Sequence, residues 1–134
     1  MFLDVFLNDT LSQCLIDSGA TVSTISYSFC NENNWTTKIK PTSHKLIGAD
    51  NIPLNVVGEI KLNLKYTCEN TNNKIKFIVI RNLGSNVLLG IDFLTNHALI
   101  LNAKEKELFN ENISLKLTTA NEIKRNITYS IKSS

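Results

Sequence analysis

The chain has 134 residues and a mass of 15.0 kDa, and 43% of its residues are hydrophobic, which is enough to bury the core of one domain. A net charge of +2 with dispersed lysines is too small for a nucleic-acid-binding surface, and no apolar run is long enough for a membrane span or a signal peptide. We therefore expect a cytoplasmic domain that contacts neither nucleic acid nor membrane.

The first third of the chain predicts short strands. Residues 3–7 alternate between apolar and polar side chains, and a turn at Asn8-Asp9 joins them to a second strand at residues 12–16, which gives a hairpin that ends at Asp17. Residues 22–26 predict a third strand. The polar, Asn-rich segment 27–37 then predicts either an irregular loop or a brief helix, in which Trp35 is a core residue.

The middle of the chain continues this pattern. Residues 45–60 predict a long hairpin with its turn at Asp50-Asn51, and the alternation of apolar residues from 60 to 66 predicts a half-buried strand. An Asn-rich turn is expected at residues 69–73. The near-continuous apolar run at residues 75–80 predicts a strand that is buried on both faces.

The last part of the chain contains the one predicted helix. Residues 86–89 predict a short strand that continues through Gly90 into a helix over residues 91–96. Short strands are then expected at residues 98–101, 107–109 and 113–117, with a polar turn at 102–106. Because the sequence turns polar and loses its period near the end, we expect a domain over residues 1–118 and a polar tail or linker over residues 119–134.

The residue types exclude several kinds of site. The three cysteines, Cys14, Cys30 and Cys68, are odd in number and irregularly spaced, which argues against a disulfide framework and a zinc site. The two histidines, His44 and His97, do not lie near a serine or cysteine in the context of a catalytic nucleophile. Both histidines are expected in surface or turn positions.

One turn combines features that are typical of a catalytic site. A carboxylate at the end of a buried strand is costly unless it has a function, and Asp17 follows the apolar residues Leu15 and Ile16. The turn consists of Asp17, Ser18, Gly19 and Ala20. An ordinary turn, in which Asp17 accepts a hydrogen bond from a nearby backbone N–H, is the alternative interpretation of these residues alone.

A second motif about seventy residues later favours the catalytic interpretation. Residues 86–94 read Asn-Val-Leu-Leu-Gly-Ile-Asp-Phe-Leu, with Asp92 near the predicted helix start, where a carboxylate suits the helix dipole. An Asp-Ser-Gly-Ala turn followed by this apolar-apolar-Gly-x-Asp-x-Leu pattern resembles the retropepsin-like aspartic proteases. The pattern is most similar to the protease of a long-terminal-repeat retrotransposon of the Ty3/Gypsy type, and the resemblance covers residues 3–118.

The resemblance implies an all-β, closed acid-protease barrel with one short C-terminal helix and one lobe per chain. Because the chain contains a single Asp-Ser/Thr-Gly motif, an aspartic protease of this kind requires a homodimer in which each subunit contributes Asp17. Two such carboxylates share one proton and activate a water molecule, so the resemblance implies no metal and no cofactor.

The resemblance also assigns roles to the neighbours of Asp17. It implies that the hydroxyl of Ser18 bonds to the opposite loop across the dimer, that Gly19 lets the substrate backbone approach, and that Ala20 leaves room beside it. A substrate-covering flap hairpin is implied by the family at residues 45–54, and a plain surface hairpin is the alternative. The flap and substrate-binding residues are Ile47, Gly48, Ala49, Asp50 and Asn51.

Two departures from the retroviral pattern bear on the dimer. Retroviral relatives carry an acidic residue at the position of Thr21 and an arginine at the position of Ile91; both are replaced here, which favours the retrotransposon branch. The chain also starts at the strand that contains Leu3, without the N-terminal segment that helps to join retroviral dimers. We therefore expect dimer contacts from the strand at residues 98–101.

The implied function is a homodimeric aspartic endopeptidase that cleaves extended peptide segments in a retrotransposon Gag-Pol polyprotein. Two alternatives stay open from the sequence. The first is a catalytically silent or domesticated domain that serves as a dimerisation or peptide-binding module. The second is a protease domain of a cellular protein linked to ubiquitin-dependent turnover.

Overall fold

The computed structural model of the chain describes residues 1–48, 50–66 and 73–119. Ala49 of the predicted flap, Cys68, most of the predicted turn at 69–73 and nearly all of the predicted tail at 119–134 lie outside the described residues. Among the described helices, none is long and apolar enough to cross a membrane.

Six strands form a closed barrel in the order β1-β2-β6-β3-β5-β4, and β4 closes it by pairing with β1. These strands are β1 (Phe2–Leu7), β2 (Thr10–Ile16), β3 (Thr24–Ser26), β4 (Val56–Tyr66), β5 (Asn73–Ile80) and β6 (Val87–Leu89). A separate three-stranded sheet has the order β7-β8-β9, with β7 (Ile100–Asn102), β8 (Glu107–Phe109) and β9 (Ser114–Lys116). The helices are α1 (Tyr27–Glu32), a 3-10 turn at Thr36–Lys38, and α2 (Ile91–Asn96).

The first hairpin forms as the sequence predicts. Asn8 and Asp9 both have positive φ, of 45° and 65°, as the tight two-residue turn between antiparallel strands requires. The register pairs Leu3 with Cys14, and both side chains belong to the hydrophobic core. Alternation along the two strands therefore brings one face of the hairpin into the core and leaves the other face outside.

The short strand β6 determines the topology around the predicted catalytic turn. It pairs with β2 in parallel and with β3 in antiparallel orientation. β2 and β3 are the strands on either side of the Asp17 turn. The strand of the second sequence motif is therefore inserted between the two strands that flank the first motif.

The all-β closed barrel predicted from the sequence is confirmed. Helix α2 has the predicted bounds. Of the two structures expected for residues 27–37, an irregular loop or a brief helix, the brief helix α1 is the one that forms. Ser26 caps α1, because its hydroxyl accepts a hydrogen bond from the backbone N–H of Phe29. Trp35 is buried in the core, as predicted.

The predicted hairpin over residues 45–60 is wrong in its length. Backbone hydrogen bonds join Leu54 to Leu46 and Gly48 to Ile52, so the hairpin spans only residues 46–54. From Val56 onwards the chain pairs with β5 instead. The reason is that the apolar run of β5 offers residues 56–64 a long antiparallel partner, which the polar residues before position 46 do not.

Two strand boundaries near the C-terminal end of the domain also differ from the prediction. The strand expected from residue 98 begins at Ile100. Ala98 still belongs to the end of helix α2, because it has a φ of 50° and its N–H donates a hydrogen bond to the carbonyl of Thr95. The strand expected at 113–117 is shorter and spans Ser114–Lys116.

Candidate active site

The turn at residues 17–20 is held by backbone hydrogen bonds at both ends. The N–H of Asp17 donates to the carbonyl of Leu89 at 3.0 Å, and the N–H of Ile91 donates to the carbonyl of Ala20 at 2.8 Å. A third bond, from the N–H of Ala20 to the carbonyl of Asp17 at 3.2 Å, closes the turn itself. The two sequence motifs thus form one structural unit, which we call the Asp17 loop (residues 17–20).

The carboxylate of Asp17 is oriented within this loop. Its Oδ1 accepts a hydrogen bond from the N–H of Gly19 at 2.9 Å. Asp17 is half-buried, whereas Ser18 and Gly19 are exposed. A side chain at position 19 would meet Oδ1 of Asp17 at 3.2 Å, so glycine keeps the carboxylate uncrowded. The arrangement presents an acidic group at the surface with its direction fixed.

A second carboxylate, that of Asp92, lies behind the loop and is used for structure. Its Oδ1 accepts the hydroxyl of Ser23 at 2.7 Å, and its Oδ2 accepts the N–H of Ser23 at 3.0 Å. The oxygen of Ser23 in turn accepts the N–H of Gly90 at 3.1 Å. These bonds tie the start of helix α2 to the segment that follows the Asp17 loop.

The Ser23–Asp92 pair was missed by sequence reasoning, which placed Asp92 at the helix start on account of the helix dipole alone. The two residues are separated by 69 positions in the sequence. Ser23 directly precedes β3, which itself contains the polar residues Thr24 and Ser26, so no local signal in the sequence marks Ser23 as the partner of Asp92.

Gly90 lets the two motifs approach each other closely. A Cβ atom at this position would lie 2.7 Å from the carbonyl oxygen of Ala20 and 2.9 Å from that of Val22. Both contacts are with backbone atoms, which cannot rotate away. A glycine is therefore required at this position for packing.

Of the predicted flap residues, the structure places Ile47, Gly48, Asp50 and Asn51 in the hairpin of residues 46–54, which we call the 46–54 hairpin. Asn51, with a φ of 63°, donates its N–H to the carbonyl of Gly48 at 3.0 Å. Oδ1 of Asp50 accepts the N–H of Ile52 at 3.1 Å. Within the described ranges, no hydrogen bond joins this hairpin to the Asp17 loop.

Two exposed isoleucines flank the tip of the 46–54 hairpin. Ile47 is 67% exposed and Ile52 is 61% exposed. Exposed apolar side chains of this size on a short hairpin are consistent with a surface that covers another group. The flap assignment stays a prediction, with a plain surface hairpin as its alternative.

The cysteines and histidines that the structure describes lack the features of a nucleophilic site. Burial raises the pKa of the Cys30 thiol to about 11 and raises the pKa of the Cys14 thiol further, which disfavours the reactive thiolate. His44 is exposed, whereas the Nδ1 atom of His97 lies 2.7 Å from the hydroxyl of Tyr66. Burial lowers the pKa of His97. In the described part of the chain, no cluster of His, Cys, Asp and Glu side chains could hold a metal ion.

Comparison with known proteins agrees with this geometry. The sequence model of a protein family, the PEG10/RTL1 protease domain, matches residues 13–121. This range includes the Asp17 loop and helix α2. No curated protein matches the sequence significantly.

Three solved structures share the fold at low sequence identity. The retroviral protease-like domain of Ddi1 from Leishmania major has a TM-score of 0.71 and 17% identity, over 89% of this chain and 96% of that domain. The EIAV protease in complex with the inhibitor HBY-793 has a TM-score of 0.57 and 18% identity, over 73% of this chain and 88% of that one. A retropepsin-like aspartic protease from Rickettsia conorii has a TM-score of 0.55 and 20% identity, over 75% of each chain.

Proposed function

Because the chain belongs to the PEG10/RTL1 protease domain family, whose fold is retropepsin-like, we propose that it is an aspartic endopeptidase and that Asp17 is its catalytic residue. One observation carries the proposal. The Asp17 loop is fixed at both ends to the second motif, and it presents a half-buried carboxylate whose orientation is set by the N–H of Gly19. A group that is held in place before substrate arrives is what acid–base catalysis requires.

The proposed enzyme is a homodimer, because one chain supplies a single Asp17 loop. Two Asp17 carboxylates that face each other cannot both ionise, so they share one proton and titrate as a pair. The ionised carboxylate takes a proton from a water molecule as that water attacks the peptide carbonyl. The protonated carboxylate donates a hydrogen bond to the developing oxyanion, and the leaving nitrogen is then protonated.

Ser18 and Gly19 support this geometry in the proposed dimer. Ser18 is exposed, and its hydroxyl makes no hydrogen bond to the residues that the structure describes, so it is available to the loop of a second subunit. Such a bond would hold the two carboxylates in one plane. Gly19 leaves the substrate backbone free to approach Asp17.

Exposed apolar residues mark the surface on which we propose that the dimer forms. Ile100 is 58% exposed on β7, an edge strand of the three-stranded sheet, and Ile91 is 42% exposed beside the Asp17 loop. Water leaves both side chains when a second copy packs against them. Ile100 lies within residues 98–101, where we expect dimer contacts, and Ile91 adds a second position outside that segment.

The proposed substrate is an extended peptide, bound as an added strand between the 46–54 hairpin and the barrel surface beside Asp17. Junctions of a retrotransposon Gag-Pol polyprotein in the cytoplasm are the substrates that the sequence pattern favours. The exposed Ile47 and Ile52 would close over such a peptide.

The experiment that tests the proposal is digestion of a peptide library by the wild type and by Asp17→Asn. The substitution keeps the size of the side chain and removes the ionised carboxylate, so we expect cleavage to fall by at least about 10³-fold. Asp9→Asn is the matched control, because Asp9 lies in an exposed turn where asparagine tolerates the positive φ. Its activity is expected to equal that of the wild type.

Cleavage that persists in Asp17→Asn contradicts the catalytic assignment. A wild type that binds peptides but cleaves none identifies the domain as a binding module instead.

The dimer is tested by mixing the two proteins at concentrations where sedimentation shows dimers. At constant total protein, an equal mixture of wild type and Asp17→Asn retains about a quarter of the activity if both carboxylates are needed, because random pairing gives about one wild-type dimer in four. A monomeric enzyme retains about half of its activity in the same mixture, which contradicts the proposed dimer.

A further inference from the structure

Three lysines and one asparagine lie together on one face of strands β4 and β5. Lys61 of β4 pairs with Lys76 of β5, and Asn63 pairs with Lys74 in the same antiparallel ladder. All four side chains are exposed. Side chains that are paired across neighbouring strands lie on the same face of a sheet. We call this set the lysine face.

The lysine face points away from the hydrophobic core. The residues that alternate with it along the two strands belong to the core: Ile60, Leu62, Leu64, Ile75 and Phe77. Because successive side chains of a strand point to opposite faces, the four polar side chains point outward. The Asp17 loop lies between β2 and β3, so the lysine face is built from other strands than those that flank the candidate active site.

The positive charges of this face are not paired within the fold. Among the residues that the structure describes, none of the three lysines forms an ion pair. Lys61 and Lys76 are directly opposite each other, and like charges in this arrangement destabilise a sheet. The whole chain has a net charge of only +2, and the pairing of β4 with β5 gathers lysines that are dispersed along the sequence.

Two carboxylates lie at the border of the lysine face, and each has another neighbour. Glu59 is on the same side of β4, and Lys40 lies opposite it in an isolated bridge. Asp92 lines a cavity of about 260 Å³ together with the two lysines of β5, but both of its oxygens accept hydrogen bonds from Ser23. The three lysines and Lys40 outnumber these two carboxylates, so the face keeps an excess of positive charge.

We propose that the lysine face docks an acidic segment of another polypeptide in an extended conformation. Side chains on one side of an extended chain are roughly 7 Å apart, and Lys74 and Lys76, two residues apart on β5, have the same spacing. One carboxylate of the segment would lie between Lys61 and Lys76 and relieve their repulsion. The next carboxylate would contact Lys74 and the amide of Asn63. The inference does not rest on the proposed function.

An acidic polypeptide fits this face better than a nucleic acid does. Single-stranded nucleic acids bind through aromatic side chains on which their bases stack, and the aromatic residue beside β4 on this side, Phe6 of β1, is half-buried. Duplexes are bound through many phosphate contacts over a larger surface. Three lysines on two short strand segments match two or three carboxylates of a peptide.

The test measures binding by fluorescence anisotropy with a labelled peptide in which glutamate alternates with serine. About twelve residues suffice for the extended peptide to pass over the whole face. For the wild type we expect saturable binding that weakens as salt is added, because exposed charges are screened. A peptide with the same number of glutamates at every third position places neighbouring glutamates on opposite sides, and we expect it to bind about threefold more weakly.

The variant Lys61→Gln/Lys76→Gln removes the two opposed charges. We expect its affinity for the alternating peptide to fall by about tenfold. Lys104→Gln/Lys116→Gln is the matched control, because it changes the net charge equally at exposed positions in or beside the three-stranded sheet. Its affinity is expected to change by less than about twofold.

Thermal unfolding provides a second measurement that needs no ligand. Lys61→Glu places opposite charges across from each other, so we expect its midpoint to rise by a few degrees relative to the wild type while peptide binding is lost. A lower midpoint shows that the fold already neutralises Lys61, and this overturns the inference.

Further outcomes separate the inference from its alternatives. Equal losses of affinity in the two double variants overturn it, because net charge alone then explains the binding. A single-stranded oligonucleotide that binds more tightly than the peptide, and loses affinity in Lys61→Gln/Lys76→Gln, overturns it in favour of a nucleic-acid site.

Asp17→Asn separates the inference from the proposed function. We expect this variant to bind the acidic peptide as tightly as the wild type does, because the lysine face does not include the Asp17 loop. Loss of binding in Asp17→Asn would place the peptide in the candidate active site and overturn the inference. A wild type that binds the acidic peptide but cleaves no peptide contradicts the proposed function alone.

Discussion

The Asp17 loop and the 46–54 hairpin are both short connections, but they are restrained in different ways. The Asp17 loop is bonded at both ends to residues about seventy positions away, Leu89 and Ile91. The hairpin is restrained from within, by hydrogen bonds such as those from Gly48 to Ile52 and from Leu54 to Leu46. Because long-range bonds hold the Asp17 loop and the bonds of the hairpin are local, we expect the hairpin to move more readily than the loop, as the proposed function requires.

The largest effect that this comparison predicts is at Gly90, where the two motifs touch. Gly90→Ala adds a Cβ atom within 3 Å of the carbonyl oxygens of Ala20 and Val22, so we expect a loss of about 3 kcal/mol in the free energy of unfolding. Urea unfolding at equilibrium measures this loss. We also expect cleavage activity to fall, because the added atom displaces the segment that holds the Asp17 loop.

Gly84→Ala is the matched control, since a Cβ atom at Gly84 meets no other atom within 4 Å. Its free energy of unfolding is expected to stay within about 0.5 kcal/mol of the wild type. Equal stabilities of the two variants would contradict the close contact that we describe between the motifs.

Substitutions in the 46–54 hairpin are expected to have a smaller effect. They are expected to change peptide binding and to leave stability nearly unaltered. The double variant Ile47→Ser/Ile52→Ser removes two apolar side chains that are mostly exposed, so the free energy of unfolding is expected to change by less than about 1 kcal/mol. We expect KM for peptides to rise by about tenfold, because the proposed flap loses apolar contact with the substrate. Steady-state kinetics with one peptide measures the change.

Leu11→Ser is the control for this variant, because Leu11 is 60% exposed on β2, outside the hairpin. An unchanged KM in the hairpin variant would favour the alternative that residues 46–54 form a plain surface hairpin.

The smallest effect concerns His97, which lies at the end of helix α2 and outside both regions. Burial lowers its pKa in the folded state below the ordinary value of 6.5, so the unfolded chain binds more protons as the pH falls below 6.5. The stability that neutral His97 contributes is therefore present above pH 6.5 and is lost as the pH falls through the lowered pKa. Urea midpoints at pH 7.5 and 5 measure this loss.

His97→Gln cannot be protonated in this range, so we expect a smaller decrease of its midpoint between the two pH values than in the wild type. His44→Gln serves as the control, because His44 is exposed, and it is expected to follow the wild type. Identical pH dependence in all three proteins would show that His97 does not contribute.

The Asp17 loop was easier to predict from the sequence than the 46–54 hairpin. The loop and helix α2 carry strong local patterns, an apolar strand followed by Asp-Ser-Gly and an apolar strand followed by Gly-x-Asp, and α2 has the predicted bounds. The hairpin has a clear turn signal at Asp50-Asn51 but no signal for where its arms end. Its length depends on the competition of residues 56–64 for β5, which only the tertiary structure decides.

Contacts between distant residues were not predictable from one sequence. The bond from Ser23 to Asp92 spans 69 positions, and either residue alone has an ordinary local explanation. The sequence also carried no sign that Thr24 is only 6% exposed and that its Oγ1 has no hydrogen-bond partner among the described residues, because threonine is common in strands and its burial depends on the neighbouring strands. The family followed from the motifs, whereas the contacts within the candidate site required the fold.

The parallel pairing of β2 with β6 has a consequence for the order of folding. The hairpin of β1 and β2 contains only near neighbours and can form early, but the loop at its end acquires its shape only when residues 87–91 arrive. Closing a chain segment of about seventy residues is slow and entropically costly, so the functional conformation is among the last parts to form. During synthesis on the ribosome, we therefore expect residues 17–20 to reach their folded arrangement only after residues 87–91 have emerged, so that the proposed catalytic group is set late.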